Sequence, residues 1–240
     1  MFELRKSEDR GFADHGWLKA KHSFSFANYY SPEHMGFRDL LVINQDIVSP
    51  SMGFGTHPHN DMEILTYIVS GAIRHKDSMG NDYIIQAGEI QTMSAGTGVR
   101  HSEFNASHEN HLELLQIWIH TDQAGHTPSY DQKVFTREDK LNQLKQVAGS
   151  YTDTAPLKIH QDVKMYASVL ENSNNLGYSL DSDRYGWIQL IHGQLEIELI
   201  QNQKTEVIQM KPGDGLKIEK NIALKIKSLN ESEFLFFDLK

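Results

Sequence analysis

Two short turn words recur along this chain at nearly one spacing, and that repetition limits the fold more than any other feature. Val69-Ser70-Gly71 is echoed by Ile191-His192-Gly193, and Gln86-Ala87-Gly88-Glu89 by Lys211-Pro212-Gly213-Asp214, at offsets of 122 and 125 residues. Matching glycine turns at a near-constant offset imply a duplicated unit. Between the turns of the first half lie short runs rich in β-branched and aromatic residues: Leu40 to Asn44, Glu63 to Val69, Ala72 to His75, Tyr83 to Ile85, Ile90 to Met93 and Leu112 to His120. Such runs read as strands, one pair of them joined as a hairpin through Asp77-Ser78-Met79-Gly80-Asn81-Asp82. Phe24 and Phe26 alternate as a half-buried strand would. Many short strands punctuated by glycine predict an all-β fold, a barrel or a sandwich.

A chain of 240 residues has room for one large domain or two ordinary ones. The composition turns polar after Thr121, with Gly125, Pro128, Gly149 and Pro156. The division is therefore read as a domain over 1–125, a linker over 126–156 and a second domain over 157–240. Within the linker, Thr136-Arg137-Glu138-Asp139 resembles a capped helix start, with Leu141, Leu144 and Val147 on one face. A strand over Leu144 to Ala148 is the alternative.

The chemistry is concentrated in two words between Gly53 and Asn105: His57-Pro58-His59 and, about forty residues later, His101-Ser102-Glu103. Residues two apart on an extended strand point to one face, so each word is a two-toothed chelator. A lone His-x-His is commonly accidental. Two such words, each beside a glycine-rich turn (Ser94-Ala95-Gly96-Thr97-Gly98 precedes the second), point instead to a shared metal site. Three imidazoles and the Glu103 carboxylate suit a divalent first-row ion such as iron, zinc, copper or nickel. Eleven of the thirteen histidines lie at or before His126, and the second half repeats the turns without either word. It reads as a domain lacking metal ligands. His15, His22 and His34, with no partner at i+2, read as structural.

The net charge of −9, from 32 acidic and 23 basic residues, disfavours direct nucleic-acid binding, which needs a basic surface. No apolar run approaches the length of a membrane span. The charged start from Met1 to Arg10 lacks the apolar core of a signal peptide. Zero cysteines remove thiolate ligands and a cysteine nucleophile. A cytoplasmic protein is the expectation.

The longer runs around these words resemble the signatures of the pirin family of bicupins. They are Asp14-His15-Gly16-Trp17-Leu18, His22-Ser23-Phe24-Ser25-Phe26, His34-Met35-Gly36-Phe37, His57-Pro58-His59, Asp77-Ser78-Met79-Gly80-Asn81, Met93 to Gly98 and His101-Ser102-Glu103. The likeness is dense from about residue 10 to 120 and thin afterwards, and the chain is similar in particular to the bacterial pirin-like proteins described as quercetin 2,3-dioxygenases. It implies two jelly-roll cupin domains face to face in one chain, with one metal, usually iron, held in the amino-terminal cupin by His57, His59, His101 and Glu103. The wider superfamily often takes its carboxylate ligand from the position of Glu63, which is left here with a supporting role beside the metal or a structural one. His75 is read as core.

The activity implied is ring opening of a flavonol such as quercetin by O2, with Fe(II) or alternatively Zn, Cu, Ni or Mn. Glu103 would accept the substrate's hydroxyl proton, and Phe54 and Met93 would line an apolar wall around the flat rings. The competing implication is an iron-dependent redox-sensing regulator that binds a protein partner. A cupin isomerase or hydrolase using zinc or manganese is a third. Two cupin units in one chain supply the pairing that single-domain cupins obtain by dimerising, which points to a monomer.

Overall fold

The structure is a computed structural model that describes residues 2–240. It is nearly all strand, and the chain divides into two compact units. One unit comprises Gly11–Phe135 with Ser150–Gln161. The other comprises the segment up to Arg10, Thr136–Gly149 and Asp162–Lys240. The residues read as a linker are thus shared out: 126–135 and 150–156 go with the first unit, and 136–149 with the second. Sequence order hides this, because the strand Phe2–Arg5 adds to the second unit's sheet by pairing with Gly215–Ile218.

Each unit is a sandwich of one large and one four-stranded antiparallel sheet. The first unit's large sheet runs Ser129–Val134, Glu89–Ser94, Met62–Ser70, Leu112–His120, Leu40–Val48, Leu18–His22, Gly11–Asp14. Its small sheet runs Gly53–His59, Val99–Asn105, Ala72–Asp77, Asp82–Gln86. The second unit repeats the small sheet as Asn175–Ser179, Ala223–Ser228, Leu195–Gln201, Lys204–Met210. The echoed turns fall at matching places: Gly71 and Gly193 have φ +83° and +85°, Gly88 and Gly213 φ +88° and +85°. A side chain at Gly193 would also meet the Glu231 carbonyl at 2.3 Å. Glycine serves there for conformation and for space.

The duplication explains why one half carries the polar centre. Along Val99–Asn105 burial alternates, with Val99, His101, Glu103 and Asn105 inward and Arg100 and Phe104 outward. Glu103 lies opposite His75, and Asn105 opposite Ile73. In the second unit Ile226 lies opposite Ile197, and Ser228 opposite Leu195. His101, Glu103 and His75 are therefore matched by Leu224, Ile226 and Ile197, which belong to a continuous apolar core with Leu190, Leu199 and Phe236. One backbone plan encloses donors in the first unit and hydrocarbon in the second.

One local expectation is corrected and one choice is decided. Phe24 and Phe26 are not on a strand. The strand ends at His22, and Ser25 Oγ accepts from the Ser31 amide at 2.9 Å, while Ala27 takes φ +49°. Local hydroxyl-to-backbone bonds of this kind favour a loop over a ladder. Of the two readings left open after Thr136, the helix is confined to a single turn, Arg137–Lys140, closed by a capping box between Thr136 and Asp139, and the strand alternative is the one seen. The chain leaves it through Asn142 at φ +53° and enters the strand Lys145–Ser150. Leu141, Leu144 and Val147 share no helical face. No helix among the described residues is long and apolar enough to cross a membrane.

Candidate metal centre

His57 and His59 sit on Gly53–His59, an edge strand of the small sheet. The edge tolerates Pro58, which has no N–H to give to a ladder. His57 pairs across to His101, and the register slips between His101 and Glu103 so that Glu103 faces Phe54. Gly53 permits that bulge, since a Cβ there would lie 2.2 Å from the Glu103 carbonyl.

The three imidazoles converge. Ring centroids are 4.9 Å apart for His57 and His59, 4.5 Å for His57 and His101, and 4.9 Å for His59 and His101. The Nδ1–H of His57 donates to the Gly55 carbonyl at 2.8 Å, which leaves its Nε2 a lone pair. That Nε2 lies 3.0 Å from Nε2 of His101. Two nitrogens bound at right angles to one ion, each at roughly 2.1 Å, would be separated by about 3.0 Å. Nε2 of His59 and Nδ1 of His101 are buried without a protein partner.

Burial and then the charge of His57 lower His59 to about 4. Burial, followed by the neighbouring His57, His59 and His75, lowers His101 to about 2. These two rings are neutral near pH 7, the form that ligates. The donor set fits a divalent first-row ion.

Glu103 stands beside this trio rather than among all of it. Its carboxylate groups with His101 and His75, while His57, His59 and His101 form their own set, each set within 4.8 Å. Oε1 accepts from Gln91 Nε2 at 2.9 Å and from Thr66 Oγ1 at 3.5 Å. Gln91 in turn bonds Thr66 at 2.8 Å and accepts from the Tyr130 hydroxyl at 3.2 Å. Burial pushes the Glu103 carboxyl up to about 7 against the pull of Gln91 and Thr66. A carboxyl poised there can hold or release a proton at neutral pH.

His75, read from sequence as core, is fully buried and also reaches the centre, its ring 5.3 Å from that of His101. Its Nε2–H donates to Asp77 at 3.0 Å, and Asp77 is fixed by the Asn81 side chain at 2.8 Å. The alternation Ile73, His75, Asp77 was the available signal.

Glu63 is not beside the metal centre. It lies three residues before Thr66 on one strand and so faces the other side of the sheet, where Ser94 Oγ donates to it at 2.8 Å. Burial raises its carboxyl, with Ser94, the His160 backbone and His126 pulling the other way.

Met93 belongs to an apolar cluster with Ile64, Ala95 and Val99, flanked by Met62, Trp118 and Tyr130. Trp118 meets His59 edge-on at 4.9 Å and Phe26 at 5.3 Å. Phe26 lines a cavity of about 520 Å³ with Trp17, His22, Tyr29 and Phe54. Met93 thus lies in the wall beside the histidines, and Phe54 in the adjoining cavity.

Two all-β sandwiches, one with a histidine-rich centre, define a two-cupin protein with a metal-binding candidate site in its first half. The Pirin family profile matches residues 3–119, and the quercetinase C-terminal cupin domain matches residues 146–239. The chain is 44% identical over 239 residues to quercetin 2,3-dioxygenase of Escherichia coli K12, covering 100% of this chain and 99% of that one. It is 36% identical to a pirin-like protein of Caulobacter vibrioides, with 99% of each covered. The crystal structure of the Escherichia coli bacterial pirin YhhW in complex with nickel(II) superposes with a TM-score of 0.90 at 43% identity, covering 100% of this chain and 99% of that one. This chain belongs to the pirin family. It is quercetin 2,3-dioxygenase-like along its whole length.

Proposed function

We propose that the protein is a metal-dependent dioxygenase that opens the ring of a flavonol such as quercetin. The observation that carries this reading is the convergence of His57, His59 and His101 beside a buried carboxyl poised near neutrality. We assign one divalent ion, Fe(II) in the working enzyme, to those three imidazoles, with Glu103 completing the set from the His101 side. When bound, the ion would act as a Lewis acid toward the substrate's vicinal oxygens and lower the pKa of the 3-hydroxyl. The nickel(II) complex of the Escherichia coli relative supports a divalent ion in such a centre.

Glu103 takes the proton of the 3-hydroxyl, and Gln91 and Thr66 hold its carboxylate in place for that transfer. The resulting electron-rich enolate is the form that reacts with O2: the C2–C3 and C3–C4 bonds break, the two oxygen atoms join C2 and C4 in the ring-opened ester, and C3 leaves as carbon monoxide. His75, tied to Asp77, buttresses the His101 ring. Trp118, Ile64 and Met93 keep water from the centre.

The test is oxygen uptake with quercetin by protein loaded in turn with Fe(II), Ni(II), Mn(II) and Zn(II). Metal-dependent consumption of O2 and flavonol in equal amounts is expected. No uptake with any of these ions would remove the flavonol assignment.

A further inference from the structure

Two buried nitrogens on neighbouring rings have no partner: Nδ1 of His75 and Nδ1 of His101. We propose that His75 is the positioning residue of the metal centre, its Nδ1 accepting a hydrogen bond from His101 Nδ1–H in the ion-bound protein. Asp77, His75, His101 and the ion then form one chain. This rests on the ion assigned above to His57, His59 and His101.

The tautomer of His75 is set from behind. Asp77 accepts from the Met79 amide at 2.9 Å, the Asn81 amide at 3.1 Å and the Asn81 side chain at 2.8 Å, and its side chain is sealed from solvent. Those donors hold its carboxylate as an acceptor toward His75, whose Nε2–H it receives at 3.0 Å. A neutral imidazole with its proton on Nε2 carries a lone pair on Nδ1. Tyr130 packs over the His75 ring at 4.8 Å, and the residue is fully buried, so bulk water does not reach that lone pair.

The tautomer of His101 depends on the ion. His57 Nε2 bears a lone pair and lies 3.0 Å from His101 Nε2. In ion-free protein that contact needs a proton, which His101 Nε2–H supplies. His101 Nδ1 is then a lone pair beside that of His75, and two acceptors do not pair. In ion-bound protein Nε2 ligates and the ring's proton moves to Nδ1, with none gained or lost. Nδ1 becomes a donor next to an acceptor of fixed orientation.

The rings are spaced for this bond. A linear N–H···N bond of about 3.0 Å between two imidazoles sets their centroids about 5.3 Å apart. These two are separated by 5.3 Å, with planes at 56°, and such a bond fixes its own axis rather than the twist of the planes about it. On the paired strands His101 lies opposite Asp77 and Glu103 opposite His75, which makes the two rings diagonal neighbours on the inward face. Glu103 is the rival acceptor, but its Oε1 is already engaged by Gln91 and Thr66. The chain keeps His101 in its ligating orientation and strengthens it as a donor to the ion, while Glu103 stays free to take the substrate's proton.

The test is long-range 1H–15N correlation on histidine-labelled protein, with and without one equivalent of Zn2+, which reads the tautomer of each ring. His75 should be protonated on Nε2 in both states. His101 should change from Nε2–H to Nδ1–H on adding Zn2+, with a slowly exchanging Nδ1 proton. His75→Phe should make that proton exchange freely and weaken Zn2+ binding, measured by chelator competition, by roughly 10–100-fold. His75→Gln, whose amide can donate to Asp77 and accept from His101, should recover most of that affinity. A His101 Nδ1 proton that persists unchanged in His75→Phe would overturn the proposal, since Glu103 would then be the acceptor. So would a His75 protonated on Nδ1 in the Zn2+-loaded wild type, a result that needs no variant to fold. Zn2+ that shifts His57 and His59 while the wild-type His101 Nδ1 proton exchanges freely would overturn this chain alone. Zn2+ that leaves His57 and His59 unmoved would remove the three-imidazole ion and the chain with it.

Discussion

Replacing Glu103 with Gln in metal-free protein would isolate the energetic cost of placing a carboxylate in the first unit's core. The group is 4% exposed, and burial moves its pKa from 4.5 to about 7. A displacement of that size corresponds to about 3 kcal/mol of coupling between folding and protonation. Between the two values the folded protein keeps a proton that the unfolded chain has released. The contribution to stability is therefore present at low pH and is lost as pH rises through about 7.

Glutamine mimics the neutral form at every pH. Glu103→Gln should accordingly gain about 2–3 kcal/mol on wild type between pH 5 and pH 8. His59, lowered to about 4, and His101, lowered to about 2, act in the opposite sense, since their contribution is present above about pH 6.5 and lost as pH falls. Both proteins carry these histidines, so the difference between them at each pH removes that effect. Urea denaturation with chelator present, across a pH series, gives the measurement. Parallel stability curves for the two proteins would refute the reasoning.

With metal bound, Glu103→Gln should retain most of its ion, yet lose roughly 10²-fold or more in flavonol turnover, as expected for removal of a general base; steady-state rates with metal content measured alongside check this. Gly193→Ala should cost about 2 kcal/mol or more, because φ +85° and a contact at 2.3 Å act together. Gly16→Ala, at φ +79° with nothing within 4 Å, should cost only about 1 kcal/mol; thermal melts compare the two. Ile226→Ala, at the second unit's counterpart of Glu103, should destabilise by about 2–5 kcal/mol while leaving bound metal unchanged.

What sequence revealed followed from period and punctuation. The strands Met62–Ser70 and Leu112–His120 and the hairpin through Asp77 were legible because branched runs end at glycine. The echo of Gly71 in Gly193 announced the duplication, and both glycines take the same left-handed conformation. His57, His59 and His101 were legible because i, i+2 spacing needs only an extended chain. Features that depend on pairing between distant segments were not. Phe2–Arg5 gives no sign of joining a strand more than 200 residues away. Nothing local tells that Glu103 lies opposite His75 across the small sheet, or that Ser94 donates to Glu63 from a neighbouring strand.

The central claim is that three imidazoles of the first unit share one ion. Anomalous diffraction at the metal edge, from crystals of protein loaded with one equivalent of Fe(II), tests it directly. A peak at bonding distance from nitrogens of His57, His59 and His101 is the expected result. A map with no peak there, or with the ion held elsewhere while these rings contact only protein, would contradict the account.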